Sequence, residues 1–316
     1  MKAARFHQYG GPEVLSYEDV EAPVPGSGQI RIHVAGAAFN PADNGIRSGN
    51  LREAIPVSLP HVPGYDVSGR VDALGDGVDG FAVGDAVIGF LPMVADGADA
   101  EYVVAPADAL APAPTSIPLV DAAALPSVGL TAWQALFDDA GLSAGQRLLI
   151  SGAGGAVGGY AVQLAKRAGA YVIATASPRS RAAVLAAGAD EVIDHTDTEV
   201  VAAVGEPVDV LLNLAPISPD EFRALVGRVR DGGVVVSTTA WMPAPADEER
   251  GVRAVDVFVR SDVDQLTELV GLVDRGELTV QVDRRVPLSD LAALHAEAAS
   301  GALRGKVVVV PGAAAA

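Results

Sequence analysis

The fold is decided by the stretch RLLISGAGGAVGGYAVQLAKRAGAYVIATASPRS, which runs from Arg147 to Ser180. The apolar run at 148–150 predicts a buried strand, and the glycine-rich segment 151–159 predicts a tight turn that leads into a helix. A second apolar run at 171–174 predicts the next strand. A strand, a glycine turn, a helix and a strand form the unit that binds the pyrophosphate of a dinucleotide. The turn suits an anion because a helix N-terminus offers backbone N–H groups and the positive end of a dipole.

Strands and helices alternate on both sides of this unit. The predicted strands are apolar without alternation, as strands covered on both faces should be, at 148–152, 171–175, 191–194, 209–214, 233–237 and 254–259. Helical spacing lies before and between them, at 121–140, 156–168, 180–187, 197–204 and 219–229. This pattern predicts an α/β fold with a doubly wound parallel sheet.

The flanking segments read differently. Residues 1–118 alternate short β-like runs with glycine and proline turns, which predicts a mostly antiparallel β domain. After Arg260, the sequence predicts a helix from Ser261 and Asp262 to Gly276, and then a strand, a helix and a strand up to residue 310. Periodicity alone leaves open which domain these closing elements join.

Composition narrows the possible partners. The chain carries 40 acidic and 22 basic residues among 316, a formal net charge of −18, which disfavours binding to nucleic acid. It has no cysteine, so disulfides, zinc–thiolate sites and thiol nucleophiles are excluded. No apolar run approaches the roughly 18 residues of a membrane span, and the first residues lack the apolar core of a signal peptide. We therefore expect a soluble cytoplasmic protein that does not bind membranes.

Five motifs occur in the order of a known superfamily. They are NPADNGIRSG at 40–49, PGYDVSG at 63–69, GDAV at 84–87, GLTAW at 129–133 and AGGAVG at 153–158. In these motifs the chain resembles the medium-chain dehydrogenase/reductase superfamily, in its zinc-free, zeta-crystallin-like quinone oxidoreductase branch. The resemblance implies a GroES-like, mostly β catalytic domain at 1–120 and 262–316, and a Rossmann NADP-binding domain at 121–261. It also implies a homodimer formed through residues 255–259.

The motif positions argue against a metal. Zinc-dependent relatives carry cysteine where this chain has Asn40 and histidine where it has Tyr65. With no cysteine and five histidines, the chain cannot assemble a tetrahedral nitrogen and sulfur site at these positions. We predict no metal ligand.

The phosphate-binding turn is assigned to five consecutive residues. They are Ala153, Gly154, Gly155, Ala156 and Val157. Gly155 is expected to let a phosphate approach the backbone closely, and Gly158 is expected to let the helix pack closely on the strand.

The choice between NAD and NADP depends on the residues that follow the second strand. An NAD site places an acid there, whereas residues 174–181 contain none. From Ala140 to Ala189 there is no acidic residue, although there are five basic ones. Arg179 can offer a bidentate fork to the 2′-phosphate, and Ser177 and Ser180 can offer hydroxyls. His195 follows the third strand and is either a further contact or a solvated side chain. We predict NADPH as the cofactor.

The remaining site residues come from the resemblance. It implies further cofactor contacts at Asn213, Leu214, Ser237 to Ala240, and Lys306. For the reacting centre it implies Asn40 on the nicotinamide ribose or substrate, Asp43 ordering the same loop, Tyr65 donating to a carbonyl oxygen, and Thr131 near the nicotinamide. Tyr65 as a packed loop residue stays open, and Arg47 is either a residue that holds the loop or a solvated arginine.

The expected acceptor is small and apolar. Segments 40–55 and 88–95, with Trp241 and Met242, are expected to line a pocket for a quinone or a conjugated enone or enal. Two other readings stay open. One is an enoyl-thioester reductase, for which Arg47 and Arg52 are the nearest basic groups, and the other is a catalytically silent NADPH-binding interaction or regulatory module.

Overall fold

The computed structural model describes residues 1–239 and 242–312. Ala240, expected at the cofactor site, and Trp241, expected in the acceptor pocket, lie outside the described residues.

The strands and helices are numbered in chain order. The first part of the chain contains β1 (Lys2–Phe6), β2 (Leu15–Asp19), β3 (Gln29–Ala38), α1 (Pro41–Ser48), β4 (Asp66–Leu74), β5 (Ala86–Phe90), β6 (Tyr102–Pro106), β7 (Leu110–Pro112), α2 (Leu119–Ala122) and α3 (Pro126–Trp133). The second part contains β8 (Arg147–Ser151), α4 (Ala156–Arg167), β9 (Tyr171–Ala176), α5 (Pro178–Ala186), β10 (Glu191–Asp194), α6 (Val200–Ala203), β11 (Val208–Asn213), α7 (Pro219–Val226), β12 (Val229–Ser237) and β13 (Arg253–Asp256). The last part contains α8 (Val263–Asp274), β14 (Arg284–Pro287), α9 (Leu291–Ala299) and β15 (Val307–Val310).

These elements form two compact units. Unit 1 comprises Met1–Ser127 and Ser261–Ala316, and unit 2 comprises Val128–Arg260. Residues 121–127, which the sequence analysis gave to the dinucleotide-binding domain, belong to unit 1 because α2 packs on β3 and β4.

Unit 2 is built on a six-stranded sheet with the order β10-β9-β8-β11-β12-β13. Every neighbouring pair is parallel. The chain runs outward from β8 in one direction and then returns to start again at β11, so the strand order reverses between these two strands. In doubly wound sheets, ligands bind outside the carboxyl ends of the strands at this point. The predicted α/β fold class is confirmed.

Burial explains why these strands read as continuous apolar runs. In β8, the four residues from Leu148 to Ser151 are all buried, as expected for a parallel strand with both faces covered. On one face, Phe222, Leu225 and Val226 of α7 pack against the sheet. The helix begins where the Ser218 hydroxyl accepts the backbone N–H of Glu221, a side-chain N-cap.

Unit 1 contains a seven-stranded sheet with the order β14-β15-β3-β4-β5-β7, in which β6 also pairs with β3. Pairing is antiparallel except between β14 and β15. In β3, Ile30, Ile32 and Val34 alternate with more exposed residues and join the core. Because β15 pairs with β3, the C-terminal segment completes the sheet that the N-terminal segment begins.

Two helices differ from the sequence expectation. The helix expected over 121–140 is broken into α2 and α3, and it continues as a π-helical turn at 134–139. Pro126 explains the break because proline lacks the N–H for an interior helical bond and starts helices well. Residues 41–48, read from sequence as part of a loop, form α1. Its capping pattern was visible as Asn40 followed by Pro41 and Asp43, with Gly49 at the C-cap.

Candidate active site

The glycine turn of unit 2 is held by the end of the neighbouring strand. The N–H of Gly152 donates to the Thr175 hydroxyl at 2.9 Å, and the N–H of Ala153 donates to the Thr175 carbonyl at 3.1 Å. Gly152 has a φ of +88°, in the left-handed region that favours glycine. Thr175 did not stand out in the sequence, since an apolar strand with one threonine carries no special signal.

The other glycines of the turn have distinct surroundings. A Cβ on Gly158 would lie 2.4 Å from the carbonyl oxygen of Ala153, so α4 packs there directly on the turn. A Cβ on Gly155 would meet only the Gly152 oxygen, at 3.5 Å. Gly155 is therefore the position where the backbone is open at the start of α4, next to Ala156 and Val157. A group with negative charge fits there because the first N–H groups of a helix have no partners within it.

The end of β9 lies beside this turn. A Cβ on Gly154 would lie 2.4 Å from the Ser180 hydroxyl oxygen, and the Ser177 and Ser180 hydroxyls are 3.3 Å apart. Ser177 is the N-cap residue of α5. Arg179 follows on the first turn and is exposed. The structure thus brings together the glycine turn and both predicted serines.

His195 extends from the next strand. Asp194, the last residue of β10, pairs with Ala176, so His195 and Ser177 each follow one member of that pair. The His195 side chain is exposed. The last residue of β10 is therefore an acid, Asp194, and it lies beside the end of β9. The end of β9 itself contains no acidic residue. The carboxylate of Asp194 accepts the N–H and the hydroxyl of Thr196 at 2.9 and 2.6 Å.

Two of the five basic residues in the stretch without acids, Arg147 and Lys166, pair with acids just beyond it. Lys166 pairs with Asp190 at 2.7 Å. The guanidinium of Arg147 lies 3.5 Å from Glu206 and 4.0 Å from Glu191. The local positive charge expected around the turn is therefore reduced at these two positions, because residues 190–206 fold back onto the stretch that lacks acids.

Polar side chains end three adjacent strands in register. Asn213 of β11 lies opposite Ser151 of β8 and opposite Ser237 of β12. The side chain of Asn213 is fully buried, and its Nδ2 has no hydrogen-bond partner. Its Oδ1 accepts the Ala215 N–H at 3.4 Å, and the Leu214 N–H donates to the Ser151 carbonyl. These three side chains mark the carboxyl edge of the sheet at the switch point between β8 and β11. The Nδ2 group of Asn213 is a buried hydrogen-bond donor that requires an acceptor.

In unit 1, Asn40 begins α1 through a reciprocal cap. The Asn40 N–H donates to Asp43 Oδ2 at 2.7 Å, and Asp43 stands at the third helical position. Such a capping box fixes how the chain enters the helix. Two of the residues expected at the reacting centre therefore lie at the same helix start.

The carboxamide of Asn40 belongs to a buried polar network. Its Nδ2 donates to Asp66 Oδ2 at 2.9 Å, and its Oδ1 accepts from Lys306 Nζ at 2.6 Å. The Ser127 hydroxyl lies 2.6 Å from Asp66 Oδ2 and 3.1 Å from Asn40 Oδ1. Lys306 also donates to Asp66 Oδ2 at 3.1 Å and to the Phe39 carbonyl at 3.2 Å. Asp66 is fully buried and Lys306 is 4% exposed. Sequence reasoning missed Ser127 and the joint role of Asp66, since only the fold brings α3, β4 and β15 together.

Asp43 is a buried carboxyl group with a hydrogen-bond partner at only one of its two oxygens. It is 0% exposed, and its Oδ1 has no hydrogen-bond partner. Burial raises the pKa of Asp43 to about 7, against the opposing effects of the Asn40 N–H and the Lys306 charge. Asp99, which is 3% exposed, also has a raised pKa because of burial and the nearby Asp43.

Tyr65 points to a histidine. Its hydroxyl lies 2.8 Å from His61 Nε2, and both side chains are 1% exposed. Burial raises the pKa of the Tyr65 phenol. On the other side of the imidazole, His61 Nδ1 lies 3.3 Å from Asp96 Oδ1. Tyr65 is thus a buried residue of unit 1 whose hydroxyl has a fixed partner.

Arg47, at the last turn of α1, holds the surrounding chain. Its guanidinium donates to the Gly10 carbonyl and to Asn44 Oδ1, and its Nε lies 3.2 Å from His295 Nδ1. Arg47 is 2% exposed and His295 is fully buried. Burial and the neighbouring Arg47 lower the pKa of His295 to about 3. Arg47 therefore ties α1 to α9.

Thr131 lies in unit 2. It is a partly buried residue of α3, in the part of that helix that belongs to this unit. The candidate site residues thus fall into two groups: Asn40, Asp43, Tyr65 and Lys306 in unit 1, and the glycine turn, the serines and Asn213 in unit 2.

Comparisons with known proteins agree with this architecture. Residues 26–115 match the alcohol dehydrogenase GroES-like domain, and residues 187–309 match the zinc-binding dehydrogenase family. A chloroplast envelope quinone oxidoreductase homolog of Arabidopsis thaliana is 32% identical over 98% of each chain. The chain belongs to the quinone oxidoreductase branch of the medium-chain dehydrogenase/reductase superfamily. It is therefore an oxidoreductase, as the sequence predicted.

Solved structures extend the comparison. A quinone oxidoreductase from Coxiella burnetii matches with a TM-score of 0.91 and 32% identity, and 99% of each chain is covered. An NAD-dependent alcohol dehydrogenase matches with a TM-score of 0.90 and 31% identity, over 99% of this chain and all of the other. Relatives with the same fold thus carry names of both quinone and alcohol enzymes. A nicotinamide cofactor is what the family implies.

Within 1–239 and 242–312, no cluster of three or more histidine, aspartate or glutamate side chains has the arrangement of a metal site. No helix in the same part of the chain is long and apolar enough to cross a membrane.

Proposed function

We propose that this chain is an NADPH-dependent, zinc-independent reductase of quinones or of activated alkenes such as enones and enals. The observation that carries the proposal is the carboxyl edge of the unit 2 sheet. There, the open backbone at Gly155 and the unpartnered Nδ2 of buried Asn213 lie at the switch point between β8 and β11. A dinucleotide suits this edge because it brings a pyrophosphate for the turn and acceptor atoms for the amide.

Each part of the cofactor has a proposed partner. The residues from Ala153 to Val157 would hold the pyrophosphate, while Asn213, Leu214 and Ser237 would line the edge toward the nicotinamide, with Thr131 nearby. Ser177, Arg179, Ser180 and His195 would hold the 2′-phosphate. When bound, the cofactor supplies the hydride, so the protein has to position two reactants and stabilise the negative charge that develops on the acceptor.

The acceptor also needs a proton. The Asp96 carboxylate can only accept, so an imidazole whose Nδ1–H faces it at 3.3 Å presents Nε2 as an acceptor for the Tyr65 hydroxyl at 2.8 Å. Tyr65 is also 1% exposed, so we propose that it packs in unit 1 and that water supplies the proton to the acceptor's oxygen.

The function is tested by following NADPH absorbance with a panel of small quinones and a panel of enals and enones. We expect turnover with at least one panel and little with simple alcohols in the reverse direction. Tight NADPH binding without turnover on either panel would contradict a reductase and favour a silent binding module. A third panel holds enoyl thioesters, and turnover restricted to that panel would instead favour the thioester reductase.

Cofactor selectivity provides a separate prediction. Arg179→Glu should lower the preference for NADPH over NADH by roughly 10- to 100-fold, because a charge-assisted hydrogen bond to phosphate is worth about 1.5–3 kcal/mol. The measurement is the ratio of kcat/KM values for the two cofactors. Arg223→Glu, an exposed arginine on α7, is the matched charge reversal and should leave the ratio unchanged. An unaltered ratio in Arg179→Glu would argue that the cofactor is NADH or that another group reads the phosphate.

The proposal also includes the oligomeric state of the protein and its location in the cell. β13 is an edge strand, and Phe258 just after it is 71% exposed, which supports a homodimer formed through residues 255–259. A monomeric mass in sedimentation experiments would contradict it. We further propose a cytoplasmic enzyme that binds neither membranes nor nucleic acid, in keeping with its net charge of −18.

A further inference from the structure

We infer that Lys306, with Asp66 and Ser127, is a positioning residue that fixes Asn40, and that Lys306 does not bind the cofactor. The inference rests on the proposed function, since the reaction that Asn40 serves is the proposed one. It differs from the role that the family resemblance implies for Lys306, which is a cofactor contact.

The first argument is the geometry of the ammonium group. An ammonium has three N–H donors, and Lys306 makes three contacts: with the Phe39 carbonyl at 3.2 Å, Asn40 Oδ1 at 2.6 Å and Asp66 Oδ2 at 3.1 Å. Lys306 is 4% exposed, and its carboxylate partner is fully buried. A lysine with all three donors engaged inside unit 1 has none left for a phosphate.

The second argument concerns the carboxamide of Asn40. An amide offers two N–H donors and two oxygen lone pairs. Nδ2 donates to Asp66 Oδ2 at 2.9 Å and to the Ala38 carbonyl at 3.2 Å, while Oδ1 accepts from Lys306 at 2.6 Å. The single Ser127 hydroxyl proton lies closer to Asp66 Oδ2, at 2.6 Å, than to Asn40 Oδ1, at 3.1 Å, so Ser127 holds Asp66 in place beside the amide. Lys306 beside Oδ1 and Asp66 beside Nδ2 permit only one orientation of the amide. The amide therefore stabilises the chain around it.

The third argument is what this orientation holds in place. The backbone N–H of Asn40 is bound by Asp43 in the cap of α1, so the residue joins the end of β3 to that helix. Asp66 also accepts the backbone N–H of Ser127 at 2.7 Å. Four segments of unit 1, those at β3, β4, α3 and β15, therefore meet at one amide. Loosening this junction would move the start of α1, where the sequence places the reacting centre.

The test separates positioning from cofactor binding. In Lys306→Met we expect kcat at saturating NADPH to fall at least 10-fold, while the dissociation constant of NADPH, measured by fluorescence, stays within about 2-fold. Lys306→Arg should recover part of kcat, because it retains the charge beside Asp66. Lys2→Met, at an exposed lysine paired with Asp19, is the control and should change neither quantity. A 10-fold or larger increase in the NADPH dissociation constant, or an unchanged kcat, would overturn the inference.

A second readout does not depend on activity. The side-chain amide protons of Asn40 should exchange slowly with solvent in the wild type and at least 10-fold faster in Lys306→Met and Ser127→Ala, as followed by NMR with assignment through Asn40→Asp. Ser127→Ala removes one hydroxyl only, so it provides this measurement if Lys306→Met does not fold. Fast exchange in the wild type would overturn the network itself. If the wild type reduces no acceptor, the proposed function fails while the exchange result still decides whether Lys306 fixes Asn40.

Discussion

Replacing Asp66 with alanine should lower the free energy of unfolding of unit 1 by about 3–5 kcal/mol. The carboxylate is fully buried and pairs with Lys306 at 3.1 Å. Its removal leaves the ammonium among neutral partners and removes the acceptor of the Ser127 backbone N–H. Removing one partner of a buried ion pair destabilises a protein by more than the net contribution of the pair, because the remaining charge stays desolvated. The measurement is urea unfolding, with hydrogen exchange of the β3 and β4 amides as the report on unit 1.

A matched control lies on the same strand. Asp72 of β4 pairs with Arg31 at 2.6 Å, but its side chain is 31% exposed. Asp72→Ala should therefore cost no more than about 1 kcal/mol, as is usual for ion pairs in contact with water. Asp66→Asn keeps the shape of the side chain and one acceptor oxygen, so its loss in the free energy of unfolding should lie between the losses of the two alanine variants. It replaces Asp66→Ala in the comparison if that variant does not accumulate. Equal losses for Asp66→Ala and Asp72→Ala would show that burial does not govern the Asp66 pair.

The sequence was sufficient for the parallel sheet because one local rule decides it. Strands buried on both faces read as continuous apolar runs, as in the four inner strands β8, β9, β11 and β12. The six predicted runs correspond to β8 through β13, although the edge strands β10 and β13 are only partly buried or exposed. The sequence was less reliable for helices, because a single residue can override the helical periodicity of its neighbours. Pro126 broke a stretch with good helical spacing, and the cap formed by Asn40 and Asp43 made a helix of a segment read as a loop.

In the candidate site, the contacts that the sequence predicts are those between residues close in the chain. The glycine turn and the serines after β9 are local in sequence, and the structure brings Gly154 and Ser180 together. The partners of Asn40 lie 26, 87 and 266 residues away, so no spacing rule predicts them. For the same reason, the acids that pair with Lys166 and Arg147 lie outside the stretch from Ala140 to Ala189 in which the sequence shows no acid.

Asp43→Asn should stabilise unit 1 at alkaline pH and leave it unchanged at acidic pH. The ordinary pKa of the carboxyl group is 3.8, and burial raises it to about 7 in the folded chain. Below about pH 4, Asp43 is protonated in both the folded and unfolded states and contributes no difference. Between about pH 4 and 7 the unfolded chain releases a proton that the folded chain keeps, so stability falls by about 1.4 kcal/mol for each pH unit.

Above pH 7 both states are ionised and the penalty is constant, at about 4 kcal/mol for a shift of roughly three units. Asparagine carries no charge at any of these pH values, and its side-chain oxygen can still accept the Asn40 N–H at the helix cap. We therefore expect Asp43→Asn to gain up to about 4 kcal/mol over the wild type at pH 8, and to gain nothing near pH 4.

The pH dependence distinguishes this charge effect from a change in packing, because a packing change would shift stability equally at every pH. Unfolding is measured by urea titration at intervals from pH 4 to pH 8, with Asp79→Asn as the exposed control that should follow the wild type throughout. Asp99, whose raised pKa depends partly on Asp43, should become easier to ionise in the variant and add to the gain at high pH. A difference between variant and wild type that stays constant across this range would show that Asp43 does not keep its proton on folding.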